Sequence, residues 1–168
     1  MRRNHQLACL VVIFSVIVGC GDKGLSSQQK NYNEYLDVMQ GGGGIIRSGS
    51  LRDLGNDLLA TFNENLTSWQ NNEITDSAFD ERLRVWVLDN ESFQDDLHAV
   101  DVSGELRSIH NLYINSFARY ESAARTFRLF LSSADISLLT AYGDQIDEAD
   151  ALLADYVARL QEYMSKID

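Results

Sequence analysis

The feature that most restricts this fold is a four-three alternation of apolar residues that restarts after each short polar break. Leu51, Leu54, Leu58, Phe62, Leu66 and Trp69 lie at helical spacing. After Thr75 the pattern continues as Phe79, Leu83, Trp86, Asn90, Phe93, Leu97 and Val100. After Ser103 it reads Leu106, His110, Tyr113, Phe117, Tyr120, Ala124, Phe127 and Leu131. After Asp135 it runs from Leu139 and Tyr142 through Ile146, Ala149, Leu153, Tyr156, Leu160 and Tyr163 to Ile167. Such spacing lines one stripe of a helix with side chains that must be buried against a neighbour. The breaks "NNEIT", "DVS" and "SSAD" are short enough to make consecutive helices antiparallel neighbours. The chain has no Pro and little strand-like alternation. The expected fold is all-α: an antiparallel four-helix bundle with coiled-coil-like heptads plus a short N-terminal helix.

Folding the hairpins on paper tests this expectation. Reflecting the second long segment onto the third about Asp101–Val102 pairs Leu97 with Leu106, Phe93 with His110, Asn90 with Tyr113, Trp86 with Phe117 and Phe79 with Ala124. The next reflection pairs Phe127 with Tyr142, Ala124 with Ile146, Tyr120 with Ala149 and Tyr113 with Tyr156. Large residues then meet small ones, as close packing requires. Asn90, Tyr113 and Tyr156 fall into one polar layer, with Gly55 at the same level. A buried amide without partners costs several kcal/mol, so the tyrosine hydroxyls or a water should satisfy Asn90. Its favoured role is to fix register, as a single Asn does at a coiled-coil seam. The other role open to it is the floor of a small polar pocket.

Ahead of the bundle, Ser26-x-x-Gln29 has the spacing of a capping box, and Tyr32, Tyr35, Leu36 and Met39 form one apolar stripe. A helix over 26–40 follows. Gly41–Gly44 then end it, since four glycines in a row impose a high entropic cost on a helix. No Lys-Ser/Thr follows them, so a hinge is favoured over a phosphate loop.

The first residues have a different character. Arg2 and Arg3 precede an apolar run from Leu7 to Val18, interrupted only by Ser15. A run of about 12 residues falls short of the roughly 20 that a membrane-spanning helix needs, and fits an export signal instead. The run ends in Ile17-Val18-Gly19-Cys20, which resembles the lipobox of bacterial lipoprotein signal peptides; the resemblance covers residues 1–20. It implies cleavage after Gly19, acylation of the Cys20 thiol and a new N-terminus at Cys20. Several acyl chains anchor durably where one does not. Gly21, rather than Asp, follows the cysteine, which favours the outer membrane in a Gram-negative source and otherwise the outer face of the cytoplasmic membrane. The expected organisation is a signal peptide over 1–19, lipidated Cys20 with a tether over 20–25, a juxtamembrane helix over 26–40, a glycine hinge over 41–44 and a bundle over 45–168. Only Cys9 and Cys20 carry thiols, so packing must hold the body together.

Charge limits the partners. The chain has 14 Lys and Arg against 25 Asp and Glu, a formal net charge of -11. Removal of Arg2 and Arg3 with the signal makes this -13. Such a body repels nucleic acid and anionic lipid surfaces, so no nucleic-acid partner is expected. Catalytic machinery is sparse. Beyond the signal, the histidines are His98 and His110; Asp95 lies three residues before His98, but no second acid–His pair accompanies it, as a di-metal bundle would need. No metal site or cofactor is expected. The acidic run Gly143–Asp150 lacks calcium-loop order and reads as a polar face. The expected function is a non-enzymatic, membrane-anchored interaction or scaffold module of the cell envelope with a protein partner. The alternatives are a small-ligand-binding bundle, or an inhibitor or immunity-type lipoprotein acting on an envelope enzyme. A close relation to the peptidoglycan-linked lipoprotein would need a C-terminal Lys, whereas Ile167 and Asp168 follow Lys166.

Overall fold

The computed structural model describes residues 26–41, 50–102 and 104–167. The signal, the tether and Gly42–Gly44 lie outside the described residues. The described chain is all-helical, with α1 (Ser27–Met39), α2 (Leu51–Gln70), α3 (Asp76–His98), α4 (Gly104–Ser133) and α5 (Ser137–Ile167), and no strand among the described residues.

Local chemistry sets the helix ends. The Ser26 hydroxyl accepts from the Gln29 amide at 3.2 Å, while the Gln29 side chain accepts from the Ser26 amide at 2.8 Å. This reciprocal cap is the one anticipated at those positions. Ser50 and Thr75 cap α2 and α3 by accepting from the amides of Asp53 and Ala78. After α1 the chain turns at Gly41, whose φ of 90° is accessible to glycine without steric penalty. Asn72 after α2 and Ala134 after α4 also take left-handed backbone, with φ of 59° and 56°.

The helices follow one another around the core: α2 packs on α3, α3 on α4 and α4 on α5, while α1 contacts both α2 and α5. Contacts run forward along α4 as they run backward along α5. Tyr113 meets Tyr156 at 4.7 Å between ring centroids, and Phe127 meets Tyr142 at 4.8 Å. Both pairs were expected from reflection. Two groups of buried side chains fill the interior. One, around Leu97, Leu106, Tyr113 and Leu160, includes Tyr32, Tyr35 and Met39 of α1. The other centres on Phe62, Trp86, Tyr120 and Phe127. Every predicted seam residue of α3 from Phe79 to Leu97 is buried, and so is every one of α4 from Leu106 to Phe127.

Three details differ from the paper folding. Trp86 packs against Phe62 of α2 at 5.0 Å and donates from its indole nitrogen to the Leu58 carbonyl at 2.7 Å. Phe93 meets Phe117 at 4.8 Å and Tyr113 at 6.2 Å, two turns and one turn from the His110 it was paired with. On α2, Gly55 and Asn65 are buried while Leu54, Leu58, Leu66 and Trp69 are half-buried. A straight helix turns 3.6 residues per turn and drifts off a strict heptad, so its buried stripe moves to adjoining positions. At the far end, Leu139 is 36% exposed beside Ile136 at 76%, where the seam frays at the α4–α5 turn.

Candidate functional site

The structure places a polar chain inside the apolar end of the body. His110, on the inner face of α4, is 3% exposed. Its Nε2 lies 2.9 Å from the Leu97 carbonyl on α3. A carbonyl only accepts, so Nε2 must carry the proton and Nδ1 is left as an acceptor. The Tyr35 hydroxyl of α1 lies 3.3 Å from Nδ1 and donates to it. The Tyr35 oxygen then accepts from the Tyr156 hydroxyl of α5, also at 3.3 Å. The bonds run in one direction, from Tyr156 to Tyr35 to His110 to Leu97, and join α5, α1, α4 and α3. The Tyr35 ring meets the imidazole edge-on, at 84° and 5.6 Å. Tyr113 lies against Tyr156 and reaches toward Gly55, where α2 presents no side chain.

Burial keeps this chain neutral. Desolvation pushes the His110 pKa down, with the neighbouring His98 adding to the effect against a rise from its bond to the Leu97 carbonyl. Desolvation also pushes the Tyr35 and Tyr113 hydroxyls well up and the Tyr156 hydroxyl to about 12. A cleft of about 350 Å³ opens beside the histidine at the α3–α4 turn, lined by His98, Asp101, Arg107, His110 and Asn111 among others. Arg107 stiffens that turn by donating from Nε to the Val102 carbonyl at 2.7 Å.

The expected layer of Asn90, Tyr113 and Tyr156 is thus divided. Tyr113 and Tyr156 come together. Asn90, fully buried, instead donates from Nδ2 to the Phe117 carbonyl at 3.2 Å, one turn along α4, and its Oδ1 has no partner. Of the two hydroxyls expected to satisfy it, that of Tyr156 serves the histidine chain and that of Tyr113 lies beside Gly55. Sequence reasoning missed that chain, although Tyr35 and His110 each carried a signal. Tyr35 stood in the stripe of the first helix, and His110 occupied a seam position where an imidazole must find partners. His98 is exposed on the last turn of α3. Among the described residues no cluster of three or more His, Cys, Asp or Glu could hold a metal ion. Within the acidic run of α5, Asp150 accepts from the buried Tyr120 hydroxyl and Glu148 pairs with Arg119 at 3.1 Å. Gly19 and Cys20 lie outside the described residues.

Comparison with known proteins leaves the site to be read on its own: no family model, no curated protein and no solved structure matches the chain.

Proposed function

We propose that the chain is a bacterial lipoprotein, held to a membrane of the cell envelope through Cys20, whose helical body is a non-enzymatic interaction or scaffold module. The observation that carries this reading is Ile17-Val18-Gly19-Cys20 behind a basic start and a short apolar run. In this reading α2–α5 form an antiparallel four-helix bundle and α1 is a juxtamembrane helix laid against it. The geometry of α1 supports that arrangement. Gln29 donates from Nε2 to the Ile167 carbonyl at 2.6 Å, so the start of α1 sits at the end of α5. Lys166 pairs with Glu105 at 3.4 Å, bringing the start of α4 to the same end. In this reading the anchor lies at that end, and the α4–α5 turn with its exposed Leu129 and Ile136 faces away from the membrane. The acidic charge holds the body off anionic lipid and favours a basic protein partner.

A second reading, a small-ligand-binding bundle, is favoured by the cleft beside His110. Affinity purification from mildly solubilised envelope, followed by mass spectrometry of proteins and of extracted small molecules, separates the two. The module reading predicts one protein enriched in proportion to the bait and lost when the bait is the Cys20→Ser variant. A stoichiometric small molecule with no protein partner would replace it with the ligand reading.

A further inference from the structure

The histidine chain joins the body to the helix with the slightest hold on it. Among the described residues, α1 contributes three buried side chains, Tyr32, Tyr35 and Met39, and packs mainly on α2 and α5, with Tyr35 also reaching His110 of α4. At 13 residues it is too short to persist as a helix away from that support.

We propose that α1 is a releasable strap, and that the charge on the His110 imidazole governs its hold. The neutral ring accepts the Tyr35 hydroxyl at Nδ1. A second ring proton turns Nδ1 into a donor facing a donor. Tyr35 must then accept, its own proton must turn to Tyr156, and the Tyr156 hydroxyl loses its acceptor. The reversed chain also surrounds a charge from which water is excluded. Departure of α1 opens the ring to water and removes both penalties, uncovering Tyr156 and also Tyr163, which Tyr32 covers at 6.0 Å.

Among the described residues, the groups facing His110 offer the charged ring no counter-ion in hydrogen-bond contact. Tyr35 faces it from α1, with Tyr156 of α5 behind Tyr35. From α3 come the Leu97 carbonyl and His98, whose own protonation opposes a second positive charge. Arg52 and Asp53 of α2 act on the Tyr113 and Tyr156 side of the layer. Arg107 of α4 lines the cleft, as does Asp101 in the turn. The docked form holds the ring below the usual histidine value of about 6.5. It therefore binds fewer protons than the released form between that lowered value and about 6.5. Docking is unaffected above this window, weakens as pH falls through it by up to about tenfold per pH unit, and levels off below it.

Hydrogen exchange of the full chain in detergent micelles, followed between pH 7.5 and 5 and corrected for intrinsic rates, tests the proposal. Protection of 27–39 should fall by up to about tenfold per pH unit below about pH 6.5, while the middle of α4 and α5 keeps its own. In His110→Gln, which has no proton to gain, protection of 27–39 should be independent of pH. Protection that does not change with pH in the native chain, or that falls equally in His110→Gln, overturns the proposal. An NMR titration of the His110 ring needs no change at the histidine. Tyr35→Phe removes the donor that favours the neutral ring, so the ring's titration should move toward that of an ordinary histidine. An unmoved titration in that variant contradicts the hold. Neither experiment depends on acylation of Cys20, so its failure leaves the anchoring proposal standing.

Discussion

Gly55→Ala tests the tightest fit in the body. A Cβ at this position meets the Tyr113 hydroxyl well inside van der Waals contact, and the ring tips of Phe93 and Phe117 at 3.1 and 3.2 Å. Tyr113 has little room to retreat. Its ring lies 5.1 Å from Phe117 and 4.7 Å from Tyr156 between centroids. Replacing a mid-helix glycine by alanine gains about 1 kcal/mol of backbone propensity. Overpacking a filled core costs about 1–3 kcal/mol, and a clash on a confined aromatic belongs at the upper end of that range. The net expectation is destabilisation by about 2 kcal/mol, roughly 8 °C in melting temperature for a domain of this size. Removing the hydroxyl should reverse the sign. In the double variant Gly55→Ala with Tyr113→Phe the hydroxyl contact goes and the propensity gain remains, giving a coupling of about 3 kcal/mol in a double-mutant cycle. Urea unfolding followed by circular dichroism measures all four corners. If Gly55→Ala alone is more stable than the native chain by about the full propensity gain, Tyr113 moves aside freely and the packing argument is wrong.

Two further substitutions probe the backbone and the buried amide. Asn90→Leu removes one hydrogen bond to the Phe117 carbonyl but also a buried Oδ1 that has no partner. Stability should be unchanged or raised by up to about 2 kcal/mol, with any penalty seen as loss of a single sharp set of amide NMR signals; a loss of more than about 2 kcal/mol with a sharp spectrum would show a satisfied network. Ala134→Gly relieves a side chain held at a φ of 56°. It should raise stability by about 0.5–1 kcal/mol in thermal unfolding, after allowance for the greater freedom of glycine in the unfolded chain. A lower melting temperature would contradict that account of the turn.

Legibility in the sequence followed the range of the interactions. The caps at Ser26, Ser50 and Thr75 bond to amides three residues on; the Ser26 box was visible as a spacing. Seams on α3 and α4 were visible because their apolar residues face partners along the whole helix. The Tyr113–Tyr156 contact and the place of Gly55 beside it emerged from reflecting one seam onto the next. The histidine chain was hidden because it depends on where α1 docks. Heptads order α2 to α5 but carry no information about the azimuth of a short helix separated from them by glycines. Without α1, Asn90 looked like the natural partner of the tyrosines. With Tyr35 in place, the Tyr156 hydroxyl bonds to the Tyr35 hydroxyl and Asn90 turns to a backbone carbonyl one turn away. Asn65 escaped notice for a similar reason: its carbonyl oxygen accepts from Arg82 of α3 at 3.3 Å, a partner that only the α2–α3 packing supplies.

The anchoring proposal rests on Cys20, and intact mass spectrometry of the N-terminal peptide tests it most directly. Protein purified from the envelope in detergent should yield a peptide that begins at Cys20 and carries the mass of a thioether-linked diacylglycerol, with no species retaining residues 1–19. The Cys20→Ser variant should yield no acylated peptide. A peptide that begins elsewhere, or a Cys20 recovered as an unmodified thiol, would contradict the account.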